Sequence, residues 1–162
     1  MKYIRILTCL AALGSTTAAF AGTASTTLPV SAIVLENCTV VASPLAFGAL
    51  TDVGAANVDS SALLTLACTP NADFYIAMDN GLNAVSGARR MKSATAAEFL
   101  PYEIYTNTAR TQRWGSTSGT DTVAGTAPLG TATFTAYGRI PQGVSAVSAG
   151  SFSDTVTVTI NF

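Results

Sequence analysis

The eight residues Thr155-Val156-Thr157-Val158-Thr159-Ile160-Asn161-Phe162 alternate between polar and apolar side chains without a break. A period of two, with β-branched residues on both faces, is the pattern of a half-buried β-strand. Working outward, similar alternation recurs in Ala62, Leu64, Leu66 and Cys68, in Phe74, Ile76 and Met78, in Leu100, Tyr102 and Ile104, and in Phe134, Ala136 and Ile140. Turn signals separate these runs: Thr69-Pro70-Asn71, Asp79-Asn80-Gly81, Ser86-Gly87 and Ile140-Pro141-Gln142-Gly143. The best helical candidate after the N-terminal segment, Ala94 to Leu100, is short. Short strands at this spacing predict an all-β, two-sheet sandwich in preference to a barrel or an α/β fold. The segment Gly115 to Gly130, GSTSGTDTVAGTAPLG, is weak in strand pattern and is expected as a long surface loop, either a mobile connection or a contact site.

The N-terminus reads as an export signal. Lys2 and Arg5 precede an apolar stretch from Ile6 to Leu13, and small residues lead to Ala19-Phe20-Ala21, a cleavage site of the A-x-A kind. Residues 1–21 are thus a signal peptide, and the mature chain is expected to begin at Gly22. Taking 21 residues from 162 leaves 141, one domain with enough length to bury a core. Export also decides the cysteines. Cys9 leaves with the signal, and Cys38 and Cys68 remain in an oxidising compartment, where they are expected to bond to each other. Closing that loop is worth roughly 3 to 4 kcal/mol in the chain-entropy account.

Composition excludes several functions. Removing Lys2 and Arg5 leaves six basic against nine acidic residues, a net charge near −3, which excludes nucleic-acid binding by electrostatics. No apolar run after the signal is long enough to span a bilayer as a helix. The chain has no histidine, so a Ser-His-Asp or Cys-His nucleophile and any imidazole metal site are excluded. Asp52, Asp59, Asp73, Asp79, Glu98, Glu103, Asp121 and Asp154 are scattered mainly at turns, and no two pair in sequence as acid and base. No catalytic, cofactor-binding or metal residue is assigned.

Three features have two readings each. From Thr26 to Val34, TTLPVSAIV places Leu28, Val30, Ala32 and Val34 on one face and Thr27, Pro29, Ser31 and Ile33 on the other. This reads as a strand, and Pro29, which cannot donate to a ladder, makes it an edge strand or one bonded on one side only. Arg89 and Arg90 beside a turn are either solvated or face an anionic partner. Trp114 is either a packing residue or a contact for carbohydrate or a subunit.

A set of motifs in fixed order covers nearly the whole mature chain. It comprises a cysteine near the mature N-terminus followed by Pro44-Leu45-Ala46-Phe47-Gly48; Leu64-Thr65-Leu66-Ala67-Cys68; Arg89-Arg90-Met91; Tyr102 to Thr111, reading YEIYTNTART, with Trp114-Gly115; Tyr137-Gly138-Arg139-Ile140-Pro141; and Gly150 to Val158, reading GSFSDTVTV. In these residues the chain resembles the spore coat protein U domain family, most bacterial members of which resemble subunits of archaic chaperone-usher pili. The resemblance implies an immunoglobulin-like sandwich that lacks its last strand and is completed by a donor strand from another subunit. It places the donor at residues 22–32 and the sandwich domain at residues 33–162. Leu28, Val30 and Ala32 become pocket-filling residues, and Val156, Val158, Ile160 and Phe162 the strand bordering the gap.

Each large apolar side chain so buried contributes roughly 1.5 to 3 kcal/mol. The implied partners are neighbouring pilus subunits, a periplasmic chaperone and an outer-membrane usher, with transit through the periplasm to an extracellular, cell-surface pilus. Such pili act in surface attachment and biofilm formation. The single-domain length resembles a rod subunit, and a donor at one end with a groove elsewhere forms a heterologous contact that grows into a filament. The alternative is a domain that closes on its own N-terminal strand and serves as a secreted or spore-coat protein.

Overall fold

The computed structural model describes residues 22–162, so the signal segment and Cys9 lie outside the described residues. The chain divides into two units, one ending at Ile33 and one spanning Val34–Phe162. In the first, Gly22 to Ile33 carries no strand, and Leu28 and Val30 are 84% and 87% exposed. The strand expected over Thr26 to Val34 does not form here: an extended segment without a ladder partner leaves its backbone groups to water.

The second unit is built from β1 (Cys38–Ala42), β2 (Val58–Cys68), β3 (Ala72–Met78), β4 (Arg90–Ser93), β5 (Phe99–Pro101), β6 (Glu103–Tyr105), β7 (Val123–Ala127), β8 (Thr131–Ile140), β9 (Phe152–Ser153) and β10 (Val158–Asn161). Among the described residues there is no helix. One sheet has the order β1-β2-β8-β6, a second β10-β3-β7, and a small third β5-β4-β9. All pairings are antiparallel. The longest, β2 with β8, sets Ala62 against Ala136 and Leu64 against Phe134.

The core lies between the first two sheets. Alternate residues of β2 (Ala62, Leu64, Leu66) meet Phe74, Ile76 and Met78 of β3, with Ala136 and Ile140 of β8. Phe74 and Phe134 contact edge to face at 5.9 Å. This is an all-β sandwich, as the alternation predicts, and immunoglobulin-like, as the resemblance implies. Trp114 belongs to the same core, 1% exposed, its indole N–H donating to the Ile76 carbonyl at 3.0 Å. Of its two readings, packing is the one realised.

Four local expectations need correction. Gly115 to Gly130 is not all loop: Val123–Ala127 forms β7, paired with β3 from Ala72↔Ala127 to Ile76↔Val123. Its Val-Ala-Gly-Thr-Ala sequence has little intrinsic strand preference, but the open edge of β3 supplies the ladder. Gly125 fits closely there: a Cβ would sit 3.1 Å from the Phe74 ring, which would have to shift by a few tenths of an ångström. The run Leu100, Tyr102, Ile104 is two strands in two sheets, broken at Tyr102 after Pro101, which has no N–H to give. The C-terminal strand is shorter than its pattern: β10 starts at Val158, because its partner β3 ends at Met78 and the chain turns away at Asp79.

Finally, Arg89 is neither solvated nor presented to an anionic partner. It is fully buried, ion-paired with Glu103, and donates through Nε to the Asp79 carbonyl at 3.0 Å and through Nη2 to the Met78 carbonyl at 3.2 Å. Arg90 lies over the Phe99 ring at 3.7 Å and donates to the Asn83 carbonyl at 2.6 Å. The Glu103 carboxylate also receives Arg113 at 2.8 Å, and Arg113 reaches Asp121 at 3.4 Å. A buried guanidinium is tolerable only with its donors satisfied in this way.

Candidate functional site

The two main sheets each end in a strand bonded on one side only, β1 in the first and β10 in the second. Past the end of β1 at Ala42 and the start of β10 at Val158 opens a groove of about 1010 Å³. Its floor is made of buried core residues: Leu64 of β2, Met78 of β3, Leu100, Tyr102, and Ile140 of β8. One wall is Ala42 and the following chain to Val53, with Leu45, Phe47 and Leu50; the other is the chain from Ala146 to Val158, with Phe152, Val156 and Val158. These wall residues are only partly buried and pack against the core from one side. So much apolar side chain left half covered marks a surface shaped for a partner.

The edges of the groove are firmly made. Cys38 and Cys68 are disulfide-bonded and are directly opposed residues at the start of the β1–β2 ladder. Beyond β1, the Ser43 N–H donates to the Leu63 carbonyl at 2.8 Å, and the Leu63 N–H to the Ser43 hydroxyl at 2.8 Å.

On the opposite wall, Ser153 to Thr157 lies beyond the end of the β10–β3 ladder and is held by the loop that follows β3. The Asp79 N–H donates to the Thr157 carbonyl at 3.0 Å, the Thr157 N–H to the Asp79 carboxylate at 2.9 Å, and the Leu82 N–H to the Thr155 carbonyl at 3.1 Å. Asp154 accepts from the Asn83 side chain at 2.9 Å, the Asn83 N–H at 3.2 Å and the Tyr102 hydroxyl at 2.8 Å. Gly81 makes the close approach possible: its φ is +81°, and a Cβ there would lie 2.1 Å from the Asp154 carboxylate.

Titration follows the same contacts. Burial pushes the Asp79 carboxyl up, but hydrogen bonds from Thr157 and Gly81 and the nearby Arg89 charge outweigh it, and its pKa lies below the ordinary value. Burial and the hydrogen bond to Asp154 both raise the Tyr102 phenol, which stays a donor at every physiological pH. At the other end of the first sheet's outer face, the Arg139 hydrogen bond holds the Asp59 carboxyl below its usual range against a small desolvation.

Val156 and Val158 line the groove. Ile160 continues the face, partly buried against the core, while Phe162 is 52% exposed beyond the end of β10. Leu28, Val30 and Ala32 are in the other unit and exposed. Sequence reading missed the wall from Ala42 to Val53 and the contacts of Asp79, Asn83, Tyr102 and Asp154. The turn signal at Asp79-Asn80-Gly81 marks only a reversal, and Thr157, which donates to the Asp79 carboxylate, is 78 residues away. Among the described residues no three His, Cys, Asp or Glu side chains gather as a metal site.

Comparison with known proteins agrees with this architecture. A curated relative, Protein U of Myxococcus xanthus, is 33% identical over 108 residues, covering 61% of this chain and 58% of its own length. Among solved structures, the crystal structure of the CsuC–CsuE chaperone–tip adhesion subunit pre-assembly complex, from the archaic chaperone-usher Csu pili of Acinetobacter baumannii, contains a similar chain. That chain superposes with a TM-score of 0.58 at 28% identity, over 80% of this chain and 40% of its own length. The chain thus spans little more than half of the one relative and less than half of the other. The Spore Coat Protein U domain matches residues 24–159, all but the two ends of the chain, and the chain belongs to that family.

Proposed function

We propose that this protein is a structural subunit of an archaic chaperone-usher pilus, polymerising by donor-strand complementation and supporting surface attachment and biofilm formation. The observation that carries the reading is the apolar groove walled by the chain that follows β1 and the chain that leads into β10, two strands each hydrogen-bonded on one side only. The proposed occupant is residues 22–32 of a neighbouring subunit. Leu28, Val30 and Ala32 recur at the spacing of a strand face, and an extended segment laid beside β10 gains ladder hydrogen bonds as well as apolar burial. Before assembly a periplasmic chaperone covers the same groove, and an outer-membrane usher exchanges it for the donor. The similarity to a subunit solved in complex with its chaperone supports this order. The chain is then exported through the periplasm, works outside the cell, and has no catalytic role.

The reading predicts the effect of Leu28→Asp with Val30→Asp. Burying two carboxylates in an apolar groove costs several kcal/mol, more than two buried aliphatic side chains return. Heat-resistant polymers formed by the wild type are expected to vanish, with the variant domain still folded in a chaperone complex. Polymers of undiminished heat resistance from the variant would overturn the assignment of the donor, and a wild type that stays monomeric without a chaperone would favour a self-complemented secreted or coat protein.

A further inference from the structure

The donor-strand reading requires that the edge receiving the donor be extended before the donor arrives. β10 supplies this only from Val158 onward, where β3 backs it. Val156 also lines the groove, yet it lies outside any ladder, and among the described residues it makes no backbone hydrogen bond. Its neighbours are differently placed. The Thr155 carbonyl and both peptide groups of Thr157 are turned to the loop after β3, where the Leu82 N–H, the Asp79 N–H and the Asp79 carboxylate take the places a longer β3 would fill. Since peptide groups alternate along an extended chain, fixing Thr155 and Thr157 on the loop side turns Val156 N–H and C=O toward the open edge.

The segment is also anchored at its start. Asp154 is tied to Asn83 on the loop and to the Tyr102 hydroxyl on the groove floor, so three separate parts of the chain meet at one carboxylate. Tyr102 is 7% exposed, and its ring contacts Phe47 of the opposite wall edge to face at 6.2 Å. One side chain therefore links both walls of the groove.

Resting on the donor-strand reading, we propose that Asp79, Asn83, Tyr102 and Asp154 are positioning residues for donor capture. They form a polar clasp that extends the receiving edge of β10 back to Val156 and holds it ready. A segment that must be ordered during docking slows capture; one already ordered does not, while contacts formed after docking govern release. The clasp therefore sets the rate of capture more than the lifetime of the product.

The test uses the mature chain refolded from denaturant with a fluorescent peptide of residues 22–32. Trp114 emission follows folding separately, and peptide anisotropy follows capture and, after dilution, release. Tyr102→Phe and Asp154→Ala are expected to slow capture roughly 3- to 10-fold, the worth of one or two hydrogen bonds, with release changed less than twofold. Asp154→Asn, which keeps an acceptor for Asn83, is expected to fall between Asp154→Ala and wild type. Tyr102→Phe removes one oxygen and guards against a variant that does not fold. Capture at the wild-type rate, or a variant whose release accelerates as much as its capture slows, would overturn the clasp. Failure of the wild type itself to take up peptide would overturn the donor-strand reading on which the clasp rests.

Discussion

Replacing Arg89 with methionine is expected to lower the unfolding free energy by about 3 kcal/mol, measured as a shift in guanidinium midpoint at unchanged slope. The methionine fills most of the space, so the loss isolates the polar contacts. The Met78 and Asp79 carbonyls lose the donors that Arg89 supplies from its fully buried position, and Glu103 loses one of its two cations. Because Arg113 still pairs with Glu103, the cost falls at the lower end of that for breaking a buried ion pair. Arg89→Lys is expected to recover less than half, since an ammonium cannot span two carbonyls and a carboxylate as the guanidinium fork does. A methionine variant as stable as the wild type would contradict the role given to this residue. The substitution also frees the loop at the Asp79 carbonyl, from which the receiving edge of the groove is held.

Removing the disulfide is expected to have an effect of similar size. Cys38→Ser with Cys68→Ser, or reduction of the wild type, should destabilise the domain by roughly 3 to 4 kcal/mol, the loop-closure value for a 30-residue separation. The bond joins the first opposed pair of β1 and β2, and β1 is only five residues long and hydrogen-bonded to no strand but β2. Reduction should therefore expose the β1 amides to hydrogen exchange before those of β2, which β8 secures along ten residues. Oxidised and reduced protein unfolding at the same denaturant concentration would rule this out.

The sequence carried different parts of this structure with different clarity. Runs that bury one face against a single core kept a period of two that could be read directly: β2, β3 and β8 lie where alternation puts them. β7 was invisible because its residues are small and its strand state is induced by β3. Arg89 looked like a surface residue because a charged side chain beside a turn has no local mark of burial; only Glu103 and two carbonyls from β3 and its turn make the interior bearable. The break at Tyr102 divides one continuous pattern between two sheets, a choice made by tertiary pairing.

Of the site, Val156 and Val158 were legible through their alternation. Their assignment to the edge of a gap came from family resemblance, since periodicity tells which face is apolar and not whether a strand has a neighbour. The clasp joins residues 71 apart at Asn83 and Asp154 and 78 apart at Asp79 and Thr157, and such contacts leave no local trace.

The most direct measurement is the size distribution of the mature protein purified from periplasm without denaturant, for wild type and for a chain lacking residues 22–32. The account predicts a ladder of heat-resistant polymers from the wild type, and a truncated chain that is soluble only with its chaperone or with added donor peptide. A stable wild-type monomer that needs no chaperone, and that unfolds when residues 22–32 are removed, would contradict it.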